Sequence, residues 1–333
     1  MKRVGNLYDA IAGHDNLRLA FWKARRGKDG KPEVEAYRLN LVDELCELRV
    51  RLLAETCVIG NYHYFTIYDP KERLICAADF RERVLHHAII NVCEPVFERY
   101  QVFDSFASRR GRGLHACLER AKKHTRRYAW YLKLDVRKYF DSMPHVLPKG
   151  CLCRRFKDNR LLGLFDKIID SYAVSPRHGI PIGNLASQYF ANDYLAVMDH
   201  WLLEQVRVPG YIRYMDDFVI WHNEKKALNE IEREVRTFCL KQLGLELKPP
   251  CLNRTFTGVT MLGYRVFPDR VRLAARSRKR FADKLALFWH KLQKGEWGED
   301  EFAAHVLPLT SYVRYAESAG FRNAIMKTIG CSP

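Results

Sequence analysis

Two acids stand side by side at Asp216 and Asp217, inside the segment YIRYMDDFVI that spans residues 211–220. Successive side chains of a strand point to opposite faces, so both acids would serve one place only near a hairpin tip. Their repulsion there must be offset, and a divalent cation would do so. A third acid, Asp135, ends a run in which Trp130, Leu132 and Leu134 alternate with Tyr131 and Lys133, the pattern of a half-buried strand. Carboxylate oxygens with open coordination positions suit Mg²⁺, or Mn²⁺ in its place. Two such ions about 3.5–4 Å apart can hold the attacking and leaving oxygens of an in-line phosphoryl transfer. A lone pair of aspartates would more simply be a solvated turn, because Asp is common in turns. The third acid and the charge of the whole chain favour the metal.

These acids need elements to bring them together. Residues 1–60 read as mostly helical, interrupted by a Gly- and Pro-bearing loop at 25–32. Residues 61–80 alternate aromatic and β-branched positions around Asp69 and Pro70, which predicts a hairpin. Helices are expected at about 82–99, 113–127, 158–173 and 184–206, with an irregular loop around Pro176, Gly179 and Pro181. After Asn223, a candidate N-cap, Leu228, Ile231, Val235 and Phe238 step by three and four towards Gly244, which is placed to end the helix. Strand-like segments follow at 245–248 and 256–266. From 129 to 248 the order is strand, helices, strand-turn-strand, helix, strand, the split βαβ or ferredoxin-like arrangement. That topology sets the end of the first strand, at Asp135, beside the tip of the central hairpin, at Asp216 and Asp217.

The chain has 333 residues, 56 Lys plus Arg, 39 Asp plus Glu and a formal charge of +17. A balance this basic points to a polyanionic partner, first of all nucleic acid. The N-terminal residues lack the apolar run of a signal peptide, and no segment approaches the length of a membrane span. A soluble, cytoplasmic protein without a membrane partner is expected. Ten cysteines include no CxxC pair, so reduced thiols are expected and not a zinc site.

YMDD between two apolar strands, with LDVRKYFDSM upstream, resembles the palm of reverse transcriptases. PKERLICAADFRER, LKLDVRKYF, GIPIGNLASQYFANDYL, YMDD, LGLELKP and MLGY follow the motif order of that family from about residue 60 to 266. The resemblance implies an α+β right-hand polymerase: an N-terminal helical extension over 1–60, fingers over 61–128, a ferredoxin-like palm over 129–266 with a helical insertion at about 144–178, and a small helical thumb over 267–333. It implies that Asp135, Asp216 and Asp217 are the metal ligands, joined by the carbonyl of Val136. Lys71 and Arg73 would grip the incoming triphosphate, although a charged pair in a turn is also an ordinary surface feature. Backbone amides near Lys138 and Tyr139 would face the same triphosphate. Phe140 holds the steric-gate position that excludes a ribose 2′-hydroxyl; read without the family it is a core residue. Lys248 would be the general acid towards pyrophosphate, or a surface lysine. Leu262, Gly263 and Tyr264 would form the primer grip. Residues 276–292 would open the thumb with a basic helix, and Arg109, Arg110 and Arg112 in SRRGRG would approach template phosphates.

Ile182 and Gln188 bound the segment IGNLASQ, where most reverse transcriptases carry Gln first and often Pro last. The pattern resembles reverse transcriptases of diversity-generating retroelements. That kinship implies error-prone copying of a template-repeat RNA opposite adenine, a DNA or RNA primer, deoxynucleotide substrates and an oligomeric accessory variability protein. Ile182 could equally be a packing residue at a loop-to-helix junction. A retron or group II intron-like enzyme, or a non-catalytic nucleic-acid-binding protein, are the alternatives.

Overall fold

The computed structural model describes residues 2–68 and 72–330. The chain folds into two compact units that interleave in sequence. The first comprises the chain up to Arg109, Val136–Val206 and Glu234–Lys248; the second comprises Arg110–Asp135, Arg207–Arg233 and the chain from Pro249.

The first unit is mainly helical. Its N-terminal helices, Tyr8–Ile11, His14–Arg25, Pro32–Leu39 and Leu41–Leu53, leave the expected loop after Arg25. A two-stranded antiparallel hairpin follows, β1 (Tyr62–Ile67) and β2 (Arg73–Ala78). The helix Phe80–Tyr100 starts where Asp79 accepts a hydrogen bond from the Glu82 N–H at 2.7 Å, a side-chain cap of the usual kind. Phe97, Phe156, Phe165 and Phe190 meet edge to face or tilted and are all buried, so the core of this unit is aromatic.

Buried polar pairs lie inside that unit, and one of them titrates. Glu82 and His86 are four residues apart on the same helix and almost fully buried. Burial pushes the Glu82 carboxyl up to about 7, although the Gly60 N–H donates to it at 2.8 Å, and burial drives the His86 imidazole down to about 3. A carboxyl raised in the folded state contributes stability that is complete below its unfolded value of 4.5 and is lost as pH rises through about 7. Glu82→Gln is therefore expected to be more stable than the wild type at pH 8, by up to about 3 kcal/mol, with the gap closing by about pH 4.5. His86 is common to both proteins and cancels in the difference. Paired thermal melts across that range check this, and a constant gap would show that Glu82 does not titrate there.

The second unit carries the main sheet. Its strands are β3 (Trp130–Asp135), β4 (Gly210–Tyr214), β5 (Asp217–His222) and β6 (Cys251–Arg254), in the order β4-β5-β3-β6, with every pair antiparallel. This is the ferredoxin-like strand order expected from the sequence. Phe218 through Trp221 are all buried, which is why the central strand β5 reads as a continuous apolar run and not as an alternation. The helix Leu114–Arg127 lies against β4. A Cβ on Gly210 would come within 2.8 Å of Tyr128 and 3.1 Å of His124, so glycine permits this close approach. A second sheet joins β7 (Val259–Met261), β8 (Tyr264–Val266) and β9 (Val271–Leu273). The helices Ala275–Gln293, Glu299–Arg314 and Ala319–Thr328 follow.

Several expectations need correction. The fourth strand is 251–254 and not 245–248. Pro249 and Pro250 have no N–H to give to a ladder, so pairing with β3 starts only beyond them, while Leu247 makes a single bridge to Val136. The segment 256–266 is not one strand but a 3₁₀ turn, Thr255–Thr257, followed by the β7–β8 hairpin. Asn223 is not the N-cap: the helix begins at Lys225, and the Asn223 side chain accepts from the Ala129 N–H at 3.2 Å. Tyr131 is buried, so β3 is covered on both faces. Arg109 does not face outward. It bonds Glu98 at 2.5 Å and donates to the carbonyls of Val102 and Ser105, both at 2.6 Å, which makes it a strut for its own loop. Trp289 and Trp297 meet Phe302 and His305 between neighbouring helices. None of the nine cysteines among the described residues is joined in a disulfide.

Candidate active site

The carboxylates lie at one end of the main sheet, within the second unit. Asp135 ends β3 and Asp217 begins β5, and the two are direct partners in the register. Directly opposed residues of an antiparallel pair point to the same face with Cβ atoms about 4.5–5.5 Å apart. Asp216 sits in the two-residue turn between Tyr214 and Asp217, which are themselves paired. The other turn residue, Met215, takes φ 58°, a left-handed conformation that costs energy for a side-chain-bearing residue. Arg213 is fully buried beneath the turn, and its Nη1 donates to the Met215 carbonyl at 3.1 Å. The turn that holds two acids is therefore held from below by a guanidinium.

Lys133 completes this end of the sheet and was missed as a site residue. Its Nζ donates to Asp217 Oδ2 and to the Thr260 carbonyl, each at 2.8 Å. The signal was present in the sequence: Lys133 is two residues before Asp135 and so shares its face. Asp217 Oδ1 is buried, with no hydrogen-bond partner among the described residues. Burial pushes the Asp217 carboxyl up to about 6; the Lys133 ammonium opposes this, while Asp135 and Asp216 raise it further. A buried carboxylate oxygen without a donor, beside two more carboxylates, has the chemistry of a hard-cation ligand. Among the described residues, no three His, Cys, Asp or Glu side chains are gathered closely enough to form a metal cage. Lys133 is the positive charge that offsets Asp217 here.

Arg73, Val136, Lys138, Tyr139, Phe140, Ile182, Gln188 and Lys248 belong to the first unit, and Arg110, Arg112, Leu262, Gly263 and Tyr264 to the second, while Lys71 lies outside the described residues. Arg73 opens β2 and is exposed. Val136 is buried, and Lys138, exposed at φ 45°, precedes the short helix Tyr139–Ser142. The Tyr139 hydroxyl donates to the Ala191 carbonyl at 2.6 Å, so this ring is structural, while its backbone amide stands at the start of the helix. Phe140 is half-buried against Tyr139.

Ile182 is tied to β2: its carbonyl accepts from the Cys76 N–H at 2.8 Å, and the Asn184 side chain accepts from the Ala78 N–H at 3.0 Å. Gly183 follows at φ 115°, where a Cβ would meet Ile75 at 3.0 Å. The half-buried Ile182 side chain is thus held at the edge of the hairpin that carries Arg73. Gln188 accepts from the Ser108 hydroxyl at 2.9 Å and borders a small cavity with Arg83, His86 and His87. Lys248 precedes the two prolines, with its carbonyl accepting from Arg236 at 2.8 Å.

No helix among the described residues is long and apolar enough to cross a membrane. Comparison with known proteins bears on the rest. The chain is 23% identical over 327 residues to protein YkfC of Escherichia coli strain K12, covering 80% of this chain and 86% of that protein. It is also 23% identical to the group II intron-encoded protein LtrA of Lactococcus lactis subsp. cremoris, covering 78% of this chain but only 48% of LtrA. Among solved structures, apo telomerase from Candida tropicalis matches with TM-score 0.50 at 11% identity over 87% of this chain and 71% of that one, a likeness of fold alone. The family described as "Reverse transcriptase (RNA-dependent DNA polymerase)" matches residues 69–266. That match takes in β2, the β4–β5 hairpin, all three carboxylates and Lys133, and on it this chain belongs to the reverse transcriptase family of RNA-dependent DNA polymerases.

Proposed function

We propose that this chain makes error-prone, adenine-mutagenic cDNA from a template-repeat RNA, as a reverse transcriptase of the diversity-generating type. The observation that carries the polymerase chemistry is the opposed pair Asp135 and Asp217, with Asp217 Oδ1 buried and lacking a donor among the described residues. Asp135, Asp216, Asp217 and the Val136 carbonyl would hold two Mg²⁺ ions, with Mn²⁺ as a substitute. Such ions, when bound, supply a nucleophilic primer 3′-hydroxyl and neutralise the leaving pyrophosphate. The chain's own groups do the rest. Arg73, with Lys71, binds the triphosphate; the amides near Lys138 and Tyr139 orient it; Phe140 excludes a 2′-hydroxyl; Lys248 donates a proton to pyrophosphate. The substrates are deoxynucleotides on an RNA template with a DNA or RNA primer, and an accessory variability protein oligomer is the expected partner.

The mutagenic reading rests on Ile182 and Gln188. An amide at position 182 would offer a donor and an acceptor to the nascent pair, and isoleucine offers neither. One lost orienting hydrogen bond is worth about 1 kcal/mol of discrimination, or roughly fivefold in error rate. Ile182→Gln is expected to reduce errors opposite template adenine by about that factor, read by sequencing the cDNA. Equal adenine error rates in the two proteins would remove this explanation.

The kinship to LtrA, and to a chain from Arabidopsis thaliana called nuclear intron maturase 1, favours a second reading, a group II intron-like enzyme. Primer extension on RNA with Mg²⁺ and all four deoxynucleotides separates the two. cDNA with errors concentrated at adenine supports the first; evenly accurate cDNA leaves the second. No cDNA from the wild type, even with the cognate RNA and the accessory protein present, would remove both.

A further inference from the structure

The second unit carries five cations arranged on two aromatic rings, the first of which stands at the end of the main sheet away from the carboxylates. β3 runs from Trp130 to Asp135, so these residues stand at opposite ends of the sheet, about 17 Å apart. At the Trp130 end, the Arg254 guanidinium lies 4.9 Å and the Lys225 ammonium 5.7 Å from the indole centroid. Arg254 is Trp130's partner in the register. The Thr255–Thr257 turn then leads to Gly258, whose Cβ position would fall 2.9 Å from Phe267. Around the Phe267 ring stand Arg265 at 5.5 Å, Arg270 at 5.2 Å and Arg272 at 5.9 Å. The three residues Thr255–Thr257 separate Arg254, on the first ring, from Gly258, against the second, about 8 Å of backbone.

The patch is built. Arg265 Nε donates to the Thr257 carbonyl at 2.9 Å, the Thr257 hydroxyl donates to the Arg254 carbonyl at 2.7 Å, and the Phe267 N–H donates to the Arg270 carbonyl at 2.8 Å. Arg270 pairs with Asp269 at 2.6 Å. Lys225, Arg254, Arg265 and Arg272 are exposed, and none of them makes an ion pair with a carboxylate among the described residues. Phe256, in the joining turn, is 67% exposed. Guanidinium groups lying against aromatic faces lose less freedom when they bind, and their planar forks suit bidentate recognition of phosphate. Net charge alone would scatter lysines and arginines over the surface; here they converge on two rings joined by one hydrogen-bonded turn.

We propose that this patch is a second nucleic-acid surface, distinct from the carboxylates, which grips the phosphate backbone of RNA. It rests on the reading of the chain as an RNA-copying enzyme, and its natural ligand is the part of an RNA that extends beyond the copied duplex.

The test compares the wild type with the triple variant Lys225→Gln, Arg254→Gln, Arg272→Gln, which spares Arg265 and its turn contact. Three probes are used: a short primer-template duplex, the same duplex with a long single-stranded RNA extension, and unlinked RNA of the same sequence. Binding is followed by anisotropy as salt is varied. The expected result is a loss of about tenfold in affinity for the extended template, with the slope of log K against log salt shallower by about 2. Incorporation rate on the short duplex and the melting temperature stay unchanged. Competition by unlinked RNA would identify the ligand as any RNA, and its failure to compete would identify the strand continuous with the template. Equal affinity and equal slope in the two proteins would overturn the proposal. Loss of incorporation on the short duplex would also overturn it, because the patch would then serve catalysis or folding. Absence of incorporation by the wild type would instead count against the polymerase reading, which the binding measurements do not require.

Discussion

Asp217→Asn is expected to lower RNA-templated DNA synthesis at least a thousandfold, about 4 kcal/mol of barrier, while leaving the fold intact. The substitution keeps the shape and an acceptor for Lys133, which donates to Asp217 Oδ2 at 2.8 Å. It removes the charge that makes the buried Oδ1 a hard-cation ligand. Stability should not suffer. Burial pushes this carboxyl up to about 6, and Asp135 and Asp216 push in the same direction, so its ionised form is a cost to the metal-free protein. Melting without divalent metal should therefore be unchanged or slightly higher in the variant. Adding Mg²⁺ should raise the melting temperature of the wild type, because a ligand that binds only the folded state stabilises it by mass action, and should do so less in the variant. Single-turnover incorporation and a Mg²⁺ titration of the melting temperature read the two effects separately. Synthesis near the wild-type rate would remove Asp217 from the reacting centre. A large drop in metal-free melting would assign its effect to folding.

The convergence of Asp135 and Asp217 was legible because it rests on two robust regularities. Strand alternation places Asp135 on a face, and a two-residue turn fixes the start of β5 opposite it. The same regularities, applied one step further, would have found Lys133 at the preceding position of that face. The fourth strand was misplaced because apolar alternation at 245–248 looks strand-like, whereas ladder formation also needs N–H donors, which Pro249 and Pro250 lack. Arg109 was misread for a different reason. Charge and neighbouring glycines describe an exposed loop, but its guanidinium is turned inward by three local acceptors, which composition does not reveal. Ile182 lies between these cases. Its departure from the usual glutamine is visible in the sequence, yet the bond that holds it beside β2 is a backbone contact across a distance of about a hundred residues of chain.

Gly263→Ala is expected to destabilise the protein by about 2–4 kcal/mol, the sum of a strained backbone and a steric overlap. Gly263 stands at the tip of the β7–β8 hairpin with φ 84°, next to Leu262 at φ 50°. A Cβ there would fall 1.9 Å from the Tyr312 hydroxyl and 2.8 Å from Ser277 Oγ. That hydroxyl belongs to the turn: it donates to the Leu262 carbonyl at 3.1 Å, while Tyr264 donates to the Tyr312 carbonyl at 2.6 Å. Tyr312→Phe removes the nearest atom and leaves the ring carbon at 3.2 Å, so it should recover part of the loss in Gly263→Ala, with a coupling of about 1–2 kcal/mol in a double-mutant cycle. Additive effects would show that the overlap is relieved by a shift of the hairpin. Primer affinity measured on the double variant then separates packing from positioning. If affinity returns with stability, the glycine serves only to admit Tyr312. If affinity stays low while stability is partly recovered, the backbone at Leu262 and Gly263 is itself what holds the primer, because the rescue relieves the overlap and not the conformation of the tip.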